Sequence, residues 1–250
     1  MTFAVRPHEV PDELVALTRR LGDPAADLVV LAEGNTSVRL DDDRFAVKAS
    51  GSRMDLAGAG DFVVGDLPEL VDVLERGGTD QDRLSRLLSA GGSAKASIET
   101  LVHVVALAAG ATWVAHTHPT AVVGLLAVRE AEELWSAPLF PDEAVVLGEP
   151  VWVPYAAPGI ALGTAAHTAV RDRLDRDGTA PRLVLLGNHG IVALGATAAE
   201  VETITTMAVK AARVRSVALG AGTMAPLDRV HARELAARPD EAARRTRLGA

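Results

Sequence analysis

The chain has 250 residues, 48% of them hydrophobic, a formal net charge of −8 and no cysteine. Such a composition builds a sizeable folded core and excludes an intrinsically disordered protein. The missing thiols exclude disulfides, thiolate ligands and a cysteine nucleophile, and the acidic balance argues against nucleic acid or an anionic membrane as partner.

In chain order, "PDELVALTRRLG" has apolar residues at helical spacing between Pro11 and Gly22 and predicts a helix. "DLVVLAEGNTSVRLDDDRFAVKASG" predicts three antiparallel strands, separated by a turn at Gly34–Asn35 and by the acidic turn Asp41–Asp43. "LPELVDVLERG" and "DRLSRLLSAG" predict two short surface helices, "SAKASIETLVHVVALAAG" a helix ended by Gly110, "ATWVAHTHP" a strand stopped by Pro119, and "TAVVGLLAV" a further helix. "EAVVLGEPVWVPYAAPG" predicts two short strands, "IALGTAAHTAVRDRLDRDG" a helix, and "RLVLLGNHGIVALGA" a hairpin turning over Gly187–Gly190. A long helix starts at Thr197, with Glu200 three residues on as a capping box, and short helical segments follow. The basic tail "AARRTRLGA" reads as a solvated helix end, not a nucleic-acid arm.

No repeat, linker or compositional break divides the chain, so residues 1–250 are expected to form one α/β domain with α+β-like layers. Hairpins dominate, which predicts a central, mainly antiparallel sheet flanked by helices. No glycine-rich nucleotide-binding motif is present. With neither an apolar leader nor a run near the ~20 residues that cross a bilayer, the expected setting is soluble and cytoplasmic.

His116 and His118 stand two apart on a predicted strand, so both imidazoles leave the same face. A His-x-His pair alone is weak evidence for a metal, because a four-coordinate site needs more donors. Glu99 precedes that strand by one helix, near the helix N-terminus, where the dipole favours a carboxylate with or without a metal. His189 lies in a turn between two apolar arms; it is either a turn residue satisfying backbone groups or a third imidazole. "EGNTS" (Glu33 to Ser37) and "KASGS" (Lys48 to Ser52) offer glycine, hydroxyls and N–H groups that could form anion-binding nests, with Lys48 adding charge.

In this order the pieces resemble the class II aldolase/adducin family: Gly34-Asn35-Thr36-Ser37, Lys48-Ala49-Ser50-Gly51, Ser97-Ile98-Glu99, His116-Thr117-His118-Pro119 and Asn188-His189-Gly190, with "VPYAAPG" between the last two. The likeness runs from about residue 12 to about residue 220. It implies a homotetramer with sites at subunit borders. It also implies a divalent ion, Zn²⁺ or else Mn²⁺ or Co²⁺, on His116, His118 and His189, with Glu99 as fourth ligand or as acid/base. Asn35, Thr36, Ser50, Gly51 and Ser97 would face a sugar or sugar-acid phosphate, and Lys48, His103 and Asn188 would support the site from behind. The implied chemistry is carbon–carbon cleavage through an enediolate stabilised by the metal. Epimerisation or decarboxylation at the same metal is the alternative, and a non-catalytic adducin-like module is a third.

Two departures stand out. Ile98 replaces the second of the two adjacent serines that the sugar-phosphate aldolases place before the glutamate, which removes one phosphate hydroxyl. The regions that resemble the tyrosine-bearing segments of fuculose-type aldolases, Leu125 to Pro141 and Gly220 to Ala250, contain no tyrosine. The single tyrosine, Tyr155, reads as a packed ring. Asp142 or Glu143 is then the candidate acid. His8, His167 and His231 have no motif around them and read as surface residues.

Overall fold

The computed structural model describes residues 3–76, 81–89 and 95–248. The described chain begins with β1 (Phe3–Ala4), α1 (Asp12–Leu21), β2 (Asn35–Arg39), β3 (Arg44–Lys48), β4 (Phe62–Asp66), α2 (Leu67–Glu75) and α3 (Gln81–Leu88). It continues through α4 (Thr100–Ala108), β5 (Trp113–Thr117), α5 (Thr120–Leu126), α6 (Ala131–Leu134), α7 (Pro141–Leu147), β6 (Val151–Val153) and α8 (Ile160–Asp177). It ends with β7 (Leu183–Leu186), β8 (Gly190–Gly195), α9 (Ala198–Ala221), α10 (Arg229–Ala236) and α11 (Pro239–Leu248).

Among the described residues the strands form one eight-stranded sheet in the order β1-β4-β3-β2-β5-β8-β7-β6. Every pairing but β6 with β7 is antiparallel. The mainly antiparallel sheet flanked by helices is therefore what forms. Strand alternation divides the core in two. On one face Leu14 and Leu17 of α1 and Val201 and Ile204 of α9 pack on Val38, Ala115, Leu185 and Ile191. On the other, Leu70 of α2, Leu101 of α4 and Leu162 of α8 pack on Val47, Val114, Leu186 and Val192. α4 is buried from Thr100 to Leu107, which explains a helix apolar on every side.

Several elements depart from the sequence expectation. Leu28 to Leu31 form no strand; Asp27 and Leu31 take positive φ of 54° and 57°, and the segment loops across the end of β5. Of the helix expected from Ser93 to Gly110, residues 93–94 lie outside the described residues, and α4 starts only at Thr100, because Ala96 pairs with Ala49 as an isolated bridge and Ser97 to Glu99 turn. "EAVVL" lies in a helix, not a strand: Pro141 occupies its first turn and Gly148, at φ 62°, follows its end. The β-branched valines are overruled there by burial of the helix. Strands β1 and β4 are additional to the strands expected from the sequence. Gly65 of β4 lets the Phe3 ring lie on it, since an added Cβ would come within 2.2 Å of that ring.

Thr197 does cap α9, accepting the Glu200 N–H at 3.1 Å, but the Glu200 carboxylate reaches the N–H of Ala196 at 2.7 Å instead of that of Thr197. The basic tail is less free than expected. Arg244 pairs with Asp142 at 3.0 Å, and Arg245 donates to the carbonyl of Ala236 at 2.9 Å. No helix among the described residues is long and apolar enough to cross a membrane.

Candidate metal centre

Three separate elements bring four donors to one end of β5. His116 is its fourth residue, fully buried on the face shared with Val114 and α4. His118 follows the strand, and its backbone N–H donates to the carbonyl of Leu28 at 2.9 Å. His189 sits in the tight turn between β7 and β8, where Asn188 takes φ 55° and the His189 N–H donates to Leu186 at 3.1 Å. Glu99 takes the position before α4. One ligand atom from each of Glu99, His116, His118 and His189 lies within 4.8 Å of the others, so the four could hold one metal ion.

The hydrogen bonds behind the cluster set its chemistry. A carbonyl only accepts, so His116 Nδ1–H donates to the carbonyl of Ile191 at 2.8 Å, which leaves Nε2 facing the cluster. That Nε2 is 3.0 Å from His118 Nε2 and 3.5 Å from Glu99 Oε2. His189 Nε2 is 2.9 Å from Glu99 Oε1. Burial, followed by the His116 charge, pushes the His118 imidazole down to about 3, so it is neutral and has a lone pair at ordinary pH. Burial alone would raise the Glu99 carboxyl; hydrogen bonds and charge from His116 and His189 overcome it and hold the group well below the usual carboxylate range.

One residue beside the cluster gave no warning in the sequence. Glu33 Oε2 lies 3.7 Å from His118 Nδ1. The β2–β5 pairing ends at Asn35 opposite His116, where Gly34 takes a left-handed φ of 69°. The loop before it brings Glu33 beside His118, and the same carboxylate oxygen accepts the Val30 N–H at 3.0 Å.

Gly190 has no room for a side chain. A Cβ there would stand 2.5 Å from the Thr117 carbonyl oxygen and 2.6 Å from His118 Cδ2. The glycine is what lets the His189 turn close onto His118.

The residues expected to face substrate separate into two sets. Asn35 is buried, and its Oδ1 accepts a short hydrogen bond from His103 Nε2. His103 is itself fully buried, its Nδ1 lying 2.7 Å from Ser37 Oγ, and burial pushes its imidazole down to about 3. The carboxamide N–H₂ of Asn35 is thereby turned away from the histidine. Ser97 Oγ accepts the Glu99 N–H at 3.2 Å and keeps its own proton to donate.

Thr36 is a correction. Alternation along β2 turns it to the opposite face, where its hydroxyl is 2.5 Å from that of Thr18 in α1. Lys48 also differs from expectation: it is buried, and its ammonium donates to the carbonyls of Ala49 (3.2 Å) and Ser52 (2.5 Å), not outward to an anion. Burial pushes it down to about 8, against the pull of Asp61 and Glu99. The Ser50 N–H is taken by the Lys95 carbonyl at 2.8 Å, which removes one donor from the expected nest; Gly51 keeps a left-handed φ of 83° in open space.

The candidate acids fall away. Glu143 is buried against Arg215 at 2.6 Å and accepts from the Leu139 N–H, and Asp142 pairs with Arg244. Tyr155 is 64% exposed, so the packed ring expected for it does not form. His8 and His231 are exposed as expected, whereas His167 is half-buried.

The sequence model described as Class II Aldolase and Adducin N-terminal domain matches residues 12–216. No curated protein sequence matches the chain at a significant level. Solved structures similar to this one include an L-fuculose 1-phosphate aldolase, 22% identical with a TM-score of 0.69, covering 90% of this chain and 93% of that one. YgbL from Klebsiella pneumoniae, a candidate aldolase/epimerase/decarboxylase, is 19% identical with a TM-score of 0.68, covering 94% of this chain and 99% of that one. The N-terminal class II aldolase domain of a conserved protein from Thermoplasma acidophilum is 22% identical with a TM-score of 0.63, over 81% and 92% of the two chains. At these identities the likeness is one of fold.

Proposed function

The chain belongs to the class II aldolase and adducin family, and from that premise we propose that it is a metal-dependent lyase. Its reaction is the cleavage or formation of a carbon–carbon bond in a small sugar or sugar-acid phosphate. The observation that carries this reading is the convergence of Glu99, His116, His118 and His189 within 4.8 Å. The donor set fits the group: three imidazoles and a carboxylate suit Zn²⁺, and Mn²⁺ or Co²⁺ also bind such an N/O shell. Two Nε2 atoms facing each other at 3.0 Å, with one imidazole neutral in the interior, are an arrangement that a cation between them stabilises.

When bound, a divalent cation at these four residues would act as a Lewis acid for negative charge developing on a substrate oxygen. The rest falls to the chain. Ile191 fixes the tautomer of His116, and Glu33 stands behind His118. Glu99 completes the donor set or moves a proton at substrate carbon or oxygen. Its carboxylate is kept ionised by His116 and His189, and it regains basicity as those nitrogens turn to other partners. The Asn35 carboxamide, the hydroxyls of Ser50 and Ser97 and the left-handed turn at Gly51 form the substrate side. His103 aims Asn35, Asn188 sets the His189 turn, and Lys48 ties the turn after β3 to its own carbonyls. The protein acts in this reading as a cytoplasmic homotetramer with sites at subunit borders.

A second reading, epimerisation or decarboxylation at the same centre, is favoured by one observation. Asp142 and Glu143 are engaged in ion pairs on α7, and no tyrosine stands in the segments where fuculose-type aldolases are expected to carry one. Metal analysis of purified protein should find about one divalent ion per chain, and His118→Ala should lose it; unchanged metal content in that variant ends both readings. Among ketose phosphates, release of an aldehyde selects the lyase. Stereochemical inversion or loss of CO₂ without aldehyde selects the second. A chain that takes up no metal is the non-catalytic module.

A further inference from the structure

A cavity of about 750 Å³ opens between α7, α8, α10 and α11, and none of the four donors of the metal centre lines it. In a chain of net charge −8 its lining is basic: five arginines stand against two carboxylates, Glu149 and Asp177. Both carboxylates are already held. Arg233 grips Glu149 at 2.6 and 3.1 Å, and Arg173 reaches Asp177 at 2.5 Å. The other three guanidiniums, on Arg182, Arg229 and Arg245, have no close carboxylate among the described residues; Arg182 comes only within 3.9 Å of Glu200.

Arg182 and Arg245 are neighbours. Arg182 Nη1 donates to the Val146 carbonyl at 3.2 Å and Arg245 Nη1 to the adjacent Val145 carbonyl at 3.4 Å. Burial, followed by the Arg245 charge, pushes Arg182 below the usual guanidinium range, as expected for two like charges facing one space. Each guanidinium carries five donors in a planar fork, and these contacts use few of them. The volume is that of an ordinary small-molecule site. Arg229, Arg233 and Arg245 lie on α10 and α11, beyond residue 216 where the family match ends, so this chain builds the cavity from its own C-terminal helices.

We propose that this cavity binds a small organic dianion, a phosphomonoester or a dicarboxylate, between Arg182 and Arg245, with Arg229 at its rim, as a second ligand site distinct from the metal centre. Charge-assisted forks of this kind select doubly negative ligands over neutral ones of the same shape.

The test uses the full chain with glycerol 2-phosphate, succinate and uncharged glycerol as probes. Hydrogen exchange on the unmodified protein should show protection of α10 and α11 by at least one dianion and none by glycerol. Whichever dianion protects at the lower concentration names the ligand class. Calorimetry on the double variant Arg182→Gln/Arg245→Gln should show affinity weakened by roughly a hundredfold, about tenfold per guanidinium, with metal content unchanged. Protection confined to Asn35–Ser52 and Ser97, equal affinity in the double variant, or no protection of α10 and α11 by about 10 mM dianion would each overturn the proposal. Should the double variant not fold, exchange on the unmodified chain decides alone.

Discussion

Two glycines mark two kinds of construction at the same end of the sheet. Gly190 is walled in: the Thr117 carbonyl and the His118 ring stand where a Cβ would go. Gly51, at φ 83°, has no atom within 4 Å of that position. The side that carries the metal donors is made of strand ends and the helix start, with nitrogens committed to backbone or neighbouring side chains. The proposed substrate side joins the buried strand residue Asn35 to the turns that carry Ser50, Gly51 and Ser97. The contrast teaches that donor geometry here is a property of the core, whereas the turn at Gly51, part of the proposed substrate side, can change without disturbing it.

The comparison can be broken most severely at Gly190. Gly190→Ala forces the His189 turn away from His118, and metal affinity should fall about 10–100-fold while circular dichroism stays near that of the parent. Titration with a chromophoric chelator measures it; parent-like affinity would mean that the turn is not a rigid part of the cluster. His103→Leu tests the link between the two sides. It orphans Asn35 and Ser37 in the interior and should lower stability by about 1–3 kcal/mol for each group left unsatisfied. In the proposed reaction it should also raise KM more than it lowers kcat, an imbalance that lost packing alone would not produce. Gly51→Ala should have the smallest effect, about 1–2 kcal/mol of backbone strain from the left-handed φ. Its metal content should equal the parent's, and a loss of metal here would erase the distinction between the two sides.

Local patterns made the donors candidates only: alternation for His116 and His118, a turn between apolar arms for His189, a helix start for Glu99; the motif order that resembles the class II aldolase/adducin family made them a set. What could not be read depends on partners distant along the chain. Thr36 belongs to the core only because β2 has α1 on that face, where Thr18 meets it. Glu33 comes beside His118 only through the loop before β2, whose Leu28 carbonyl takes the His118 N–H. Leu28 to Leu31 carry β-branched residues yet loop, because the Leu28 carbonyl and the Asp27 side chain are used to hold His118 and Thr120 just past the strand. The valines of α7 were misleading for the same reason: their burial comes from the helices that pack on them, not from strand neighbours.

The strand order has a consequence for how the centre comes into being. β8 lies between β5 and β7, so the strand that carries the His189 turn at its start is inserted into an interior slot of the sheet, ninety positions after Glu99. Contacts so remote along the chain form slowly and close only when most of the molecule is ordered. An ion that needs all four donors would therefore find its place on the finished protein and not on a nascent or half-folded one. Its binding would draw the folding equilibrium toward completion by mass action.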